Sequence, residues 1–183
     1  MSTTSRLRCL YLSYFSRPAS NRPIYQALLC SRVRRILELG IGFGERAMQM
    51  IEAAARFHPR GQIEFTGIDL FESRTSADGP GMTLKLAHRR LKATGARVLL
   101  LPGDPLSALS QGANAIGQVD LMVFSVRLQR RSLAAAWFYV PRLLHPETRV
   151  FLEEILPGGG VATRAVGRAE IDALAAVARR RAA

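Results

Sequence analysis

The stretch Glu38-Leu39-Gly40-Ile41-Gly42-Phe43-Gly44 sets three glycines at alternate positions at the end of the short apolar run Arg35-Ile36-Leu37-Glu38-Leu39. An apolar run of this length, closed by glycines, predicts a buried strand followed by a tight loop. Glycine lets the backbone turn sharply and lets a ligand approach with no Cβ in the way. Directly after the loop, Glu45 to Phe57 carries Ala47, Met50, Ile51 and Ala54 at helical spacing. Glu45 suits the positive end of a helix dipole and Arg56 the negative end. Pro59 and Gly61 then stop the helix. The unit reads as strand, glycine loop, helix.

Working outward, the same alternation repeats. Gln62-Ile63-Glu64-Phe65-Thr66-Gly67-Ile68 has a strand's period and is closed by Asp69. A loop rich in Ser, Gly and Pro runs from Ser73 to Gly81. A helix from about Met82 to Thr94 presents Leu84, Ala87 and Leu91 on one face and ends at Gly95. Arg97-Val98-Leu99-Leu100-Leu101 is a third strand, and Asp104-Pro105 opens a helix to about Ile116. Val119 to Phe124 is nearly all apolar, as a strand covered on both faces must be. Ser132 can cap a helix containing Ala134, Trp137 and Phe138, and Arg149 to Glu153 is the fifth strand. Gly158-Gly159-Gly160 leads to a C-terminal helix from about Ala169 to Arg180.

Repeated strand–helix units predict an α/β, doubly wound, mostly parallel Rossmann-like sheet with right-handed crossovers and the order 3-2-1-4-5. The tail beyond the fifth strand has room for a helix with at most one short strand, Val161 to Val166, so a sheet of five or six strands, truncated after the fifth, is expected. An open fifth-strand edge needs cover from the tail or from a second subunit, which makes a homodimer an expectation. The organisation expected is an N-terminal cap over 1–33, a core over 34–156, and a glycine loop with the C-terminal helix over 157–183.

With 183 residues and 48 % hydrophobic content, the chain can build one ordinary domain and is not of disordered composition. No apolar run approaches the ~18 residues that span a bilayer, so no membrane partner is expected. Cys9 and Cys30 form no metal or redox spacing, and His58, His88 and His145 share no metal-ligand spacing. A reducing cytoplasm is the simplest compartment, and no metal is expected.

The net charge is +12, carried by arginine, with lysine only at Lys85 and Lys92. A basic surface can hold a polyanion. The arginines are scattered apart from short clusters such as Arg179-Arg180-Arg181, so a nucleic-acid partner is not favoured. The first 37 residues hold no acid but several arginines and serines, a composition similar to a transit peptide. Leu10 to Phe15 is too short and interrupted for a secretory core. Asn21 to Leu29 reads as a helix with proline near its first turn, so a cap is expected rather than a cleaved peptide.

A doubly wound sheet binds its ligand at the carboxyl ends of its strands, where the order reverses. Three features fall there. One is the glycine loop with Glu38. The second is Asp69, whose carboxylate can accept hydrogen bonds from both hydroxyls of a ribose. The third is Gly103-Asp104, where a carboxylate could receive the amino group of an adenine. Each has a structural alternative. Asp104 precedes Pro105 and reads equally as an N-cap, Asp69 could cap a turn, and Glu38 could simply brace the loop.

Glu-x-Gly-x-Gly-x-Gly followed by an acid closing the second strand resembles the class I S-adenosylmethionine-dependent methyltransferases. The resemblance covers about residues 34 to 155. Val119-Asp120-Leu121-Met122-Val123 is similar to that family's fourth strand, and Leu143-Leu144-His145-Pro146-Glu147-Thr148-Arg149-Val150 to the stretch before its fifth. There Glu147-Thr148 replaces two glycines, so the turn must differ. The resemblance implies S-adenosylmethionine as cofactor, with Gly40, Gly42 and Gly44 along its methionine and ribose. It implies Asp69 on the ribose, Asp104 near the adenine, and Glu38 as brace or contact. A dinucleotide site would want Gly-x-Gly-x-x-Gly, but Glu45 stands at its last glycine and would set a negative charge beside a pyrophosphate.

Methyl transfer needs alignment above all, so an unnamed base does not exclude it. After the fourth strand comes Ser125-Val126-Arg127, not the Asn/Asp-Pro-Pro-aromatic signature of enzymes that methylate planar nitrogens, and the acidic cluster of metal-dependent catechol-type enzymes is missing. Ser125, Arg127, Tyr14 and Tyr25 are the candidates for an acceptor pocket, and a small-molecule acceptor is expected. A non-catalytic cofactor-binding protein and a basic RNA-associated module are the alternatives.

Overall fold

Side-chain alternation along the strands decides how the sheet is covered. In β1 (Arg35–Leu39), Ile36 joins one apolar cluster while Leu37 and Leu39 join the other. In β4 (Val119–Phe124), Leu121 and Val123 point to the first cluster and Met122 and Phe124 to the second. Strands buried on both faces need helices on both faces, and the chain supplies them. The computed structural model describes residues 3–126, 128 and 130–182.

The first face is covered by α1 (Thr3–Phe15), α2 (Arg22–Cys30), α3 (Glu45–Ala54) and α4 (Leu84–Lys92). Leu12, Ile24, Tyr25, Leu28, Met50 and Leu91 are buried there against Ile36 and Phe65. The second face is covered by α5 (Pro105–Ile116), α6 (Arg130–Ala136) and α7 (Arg168–Ala182). There Leu109, Trp137 and Ile171 pack on Leu37, Met122 and Phe124, with the Phe124 and Trp137 rings 4.6 Å apart.

The remaining strands are β2 (Glu64–Asp69), β3 (Arg97–Pro102), β5 (Leu144–Ile155) and β6 (Val161–Val166). The sheet order is β3-β2-β1-β4-β5-β6, parallel throughout except for the antiparallel pair β5–β6. The expected order 3-2-1-4-5 stands, and the one short strand expected in the tail, Val161–Val166, is the sixth, antiparallel to β5. Residues Val161–Val166 return along β5 from Val150↔Val166 to Ile155↔Val161. That cover removes the open β5 edge from which a homodimer was expected.

Other differences are local. The helix predicted to Phe57 ends at Ala54, where amide bonds three residues back, Arg56 to Ala53 and Phe57 to Ala54, tighten the last turn. The fifth strand starts five residues earlier than predicted. The Thr148 hydroxyl accepts from the His145 amide and donates to the Val119 carbonyl, holding Glu147-Thr148 in an irregular strand where two glycines were expected. Ser132 is not a cap: α6 begins at Arg130, and the Ser132 hydroxyl donates instead to Asp104. No helix among the described residues is long and apolar enough to cross a membrane.

Candidate functional site

The reversal of strand order lies between β1 and β4, and the glycine loop leaves β1 at that point. Gly40, Gly42 and Gly44 have φ of 86°, 61° and 75°, the left-handed region that side chains with a Cβ rarely adopt. Gly40 is also held close to β4: a Cβ there would lie 2.7 Å from Cβ of Ser125. The loop is pinned by backbone bonds from Gly40 to Ile68 and from Met82 to Gly42, and by the Gly42 amide donating to Asp69 at 2.9 Å.

Glu38 lies on β1 with its side chain on the α3 face and is fully buried. One carboxylate oxygen accepts from Nε of Arg46 at 2.7 Å, and the other, Oε2, is buried with no hydrogen-bond partner. Burial pushes the Glu38 carboxyl up to about 7, against the charge and hydrogen bond of Arg46, with Glu153 and Asp69 adding to the rise. Arg46, on the first turn of α3, also donates to Glu153 on β5 and, at 3.5 Å, to Asn21. Glu153 in turn accepts from the Val126 amide at 3.0 Å, which fixes the chain leaving β4. Arg46 thus joins β1, β5 and the N-terminal segment behind the glycine loop.

A cavity of about 210 Å³ opens beside these groups. Glu38, Gly40, Gly42, Gly44, Ser125 and Glu153 contribute to it from the sheet side, and Arg17, Pro18 and Asn21 from the N-terminal segment. A second hollow of about 330 Å³ shares Ser125 and Glu153 and adds Leu128, Leu133, Leu152 and Ile155. On the other side of Gly40, between Asp69 and Asp104, only about 20 Å³ is open, room for little more than one water.

Arg74 accounts for that closure. Its Nη2 lies 2.6 Å from both oxygens of Asp69, and the Gly42 and Phe71 amides donate to the same carboxylate. A carboxylate has about four lone-pair sites, and these four contacts take them all. Asp69 can meet a ribose only in exchange for Arg74. Phe71, two residues on, is buried at φ 47°, strained backbone held in part by that bond to Asp69.

Asp104 is the N-cap of α5. It accepts from the Leu106 and Ser107 amides and from the Ser107 and Ser132 hydroxyls. Partial burial opposes its charge, but these bonds outweigh it and hold the carboxyl below its ordinary range. It lines the small hollow beside Asp69, so cap and site fall on one residue.

The acceptor candidates divide. Ser125 lines the cavity beside the glycine loop. Tyr25 is buried behind the cavity and donates to Gln49, which lines it, and Tyr14 stands on the outer face of α1. Arg127 lies outside the described residues. Sequence reading missed Arg46, Arg74, Asn21 and Glu153. None carries a local signal, because each acts through a fold contact; Arg74 alone follows a singled-out acid closely, five residues after Asp69. Among the described residues no group of three or more His, Cys, Asp and Glu could hold a metal ion.

The same architecture recurs in solved structures of low identity. The O-methyltransferase from Bacillus cereus in complex with SAH matches over 85 % of this chain and 68 % of its own, with TM-score 0.57 and 14 % identity. This is the Rossmann-like methyltransferase fold. TomG, the O-methyltransferase of tomaymycin synthesis from Streptomyces achromogenes solved with SAM, shares the methyltransferase fold over 100 % of this chain and 78 % of its own, with TM-score 0.56 and 15 % identity. Cofactor-bound Rv0187 from MTB shares it over 98 % and 76 %, with TM-score 0.58 and 18 % identity. No protein-family profile and no curated protein matches the chain by sequence.

Proposed function

We propose that the chain binds S-adenosylmethionine across the carboxyl ends of β1, β2 and β4 and takes part in methyl transfer to a small-molecule acceptor in the cytoplasm. The observation that carries this reading is the unpartnered, fully buried Oε2 of Glu38, set beside three positive-φ glycines at the strand-order reversal. A buried polar atom without a partner is costly, and an ammonium group supplies what it lacks. The likeness in fold to proteins solved with SAM or SAH supports the same choice.

When bound, the cofactor supplies a methyl group on a sulfonium whose leaving group, a neutral thioether, needs no acid. The chain's own residues position. Glu38 holds the ammonium, and the glycine loop lets the backbone run close to the ligand. Asp69 takes the ribose as Arg74 swings off it, and Asp104 borders the adenine while capping α5. Arg17, Pro18, Asn21 and Ser125 wall the acceptor side, and Leu128, Leu133 and Leu152 offer an apolar bed beside it. The hollow of about 330 Å³ beside Ser125 is of a size for a small acceptor. Holding that acceptor in line with the methyl is the chief catalytic contribution.

A second reading, a protein that keeps the fold without catalysis, is favoured by one observation: all four lone-pair sites of Asp69 are already taken. Calorimetric titration with S-adenosylhomocysteine, with NAD as the competing ligand, tests cofactor choice. Binding of the former above the latter supports the proposal.

A further inference from the structure

Helix α1 keeps most of its described apolar residues on its outer side. Leu12 is buried against α2 and α3, while Leu7, Leu10, Tyr11, Tyr14 and Phe15 stand exposed. Those five recur at i, i+3, i+4, i+7 and i+8, so they form one stripe along the outer face, with the Tyr11 and Phe15 rings stacked 6.0 Å apart. A contiguous exposed stripe of this kind marks a surface that something covers.

Charge selects the occupant. The first 37 residues carry seven arginines and no acid. Arg17, exposed, follows directly on the end of the stripe. A second copy laid on this face would bring arginine against arginine. An acidic protein would have to supply a groove shaped to this convex helix, whereas a fluid bilayer needs no such fit. A flat anionic surface meets both requirements: lipid tails take the leucines, the interfacial zone takes the tyrosine rings, and headgroup phosphates take the arginines.

We propose that the outer face of α1 docks on an anionic membrane surface. This is independent of the cofactor reading. It departs from the expectation of no membrane partner, which rested on the lack of a spanning segment; a helix can lie on a bilayer without crossing it. The stripe ends at Phe15, and the chain then walls the cavity beside the glycine loop at Arg17 and Pro18. Docking therefore sets the cavity beside the lipid surface, where an acceptor with an apolar body would be concentrated.

The test is co-sedimentation of the full chain with phosphatidylcholine vesicles, with and without about one third phosphatidylglycerol. Partitioning to the anionic vesicles at least about tenfold above the neutral ones is expected, falling with added salt. The variant carrying Leu10→Ser, Tyr11→Ser and Phe15→Ser should lose at least about tenfold of it with its melting temperature kept. Equal, weak partitioning to both vesicles overturns the proposal, as does full retention by the triple variant, which would assign binding to bulk charge. So does a stable dimer that the triple variant splits, which would make a second copy the cover. Should the triple variant not fold, Tyr14→Trp reports directly, since Trp137 is buried and stays constant. A blue-shifted emission on anionic vesicles supports docking, and an unchanged one overturns it.

Discussion

Asp69 and Arg74 meet at the position where a ribose is proposed to sit, and their pairing makes two substitutions diverge. Asp69→Ala removes a charged acceptor and should weaken S-adenosylhomocysteine binding by about 1–3 kcal/mol. Arg74→Ala leaves the carboxylate its bonds from Gly42 and Phe71 but frees two acceptor sites, so binding should tighten by about tenfold, or ~1.4 kcal/mol. A titration in which Arg74→Ala binds more weakly would mean that Arg74 touches the ligand and does not compete with it. Glu38 adds a pH dependence. Its carboxyl is pushed from 4.5 up to about 7, so the free site is largely protonated below that value. An ammonium ligand prefers the charged form, and affinity should rise roughly eightfold between about pH 6 and 7.5. Glu38→Gln should flatten that rise, and an unchanged profile would remove Glu38 from the ammonium. For folding the sign is opposite: the raised value makes Glu38's contribution greatest below its ordinary range and lost as pH climbs through about 7. The placement of Glu38, Gly40, Gly42, Gly44, Asp69 and Asp104 at the strand ends was legible because a strand's carboxyl end followed by Gly or Asp is a local pattern. Arg74's hold on Asp69 was not, since only the fold of the 71–81 loop brings them together.

At the scale of elements, Arg46 is the tie between β1, α3, β5 and the N-terminal segment. Its side chain is 11 % exposed, and those of Glu38 and Glu153 are 0 % and 8 %. Removing one member of a buried ion network strands the others, so Arg46→Met should cost about 3–5 kcal/mol. A chain of this length would then melt on the order of 10 °C lower. A thermal scan showing no change would mean that the network is solvated in solution. The strands were read well from sequence because their apolar periods are strong, as in Val119–Phe124. Boundaries failed where tertiary bonds decide them. Thr148 draws β5 back to Leu144, and α6 starts at Arg130 while Ser132 serves Asp104. Helix α1 was not resolved within the expected cap because its inner side, Leu12 beside Ser13, carries little apolar signal and its apolar stripe faces outward.

Across the whole molecule the charge of +12 is partly answered by local acids. Arg34, Arg35 and Arg97 gather on Glu64, and Arg164 bridges Glu154 and Glu170. Arg179 and Arg180 are exposed at the end of α7, far along the chain from the other arginine clusters. We expect weak RNA binding that fades near ~0.15 M salt, with a shallow dependence on log salt. Tight binding at that salt, abolished by replacing Arg179, Arg180 and Arg181 together, would point instead to an RNA acceptor. The fold class was legible at this scale because strand and helix alternate throughout, and so was Val161–Val166 as a short strand; its choice over a second subunit as cover for β5 was not, since that depends on pairing across a glycine turn. The central claim, a sulfonium cofactor at the end of β1, is tested most directly by calorimetric titration of the full chain near pH 7.5 with S-adenosylhomocysteine. The account predicts saturable one-to-one binding that Asp69→Ala weakens and that NAD does not reproduce; saturable binding of NAD with no heat from S-adenosylhomocysteine would contradict it.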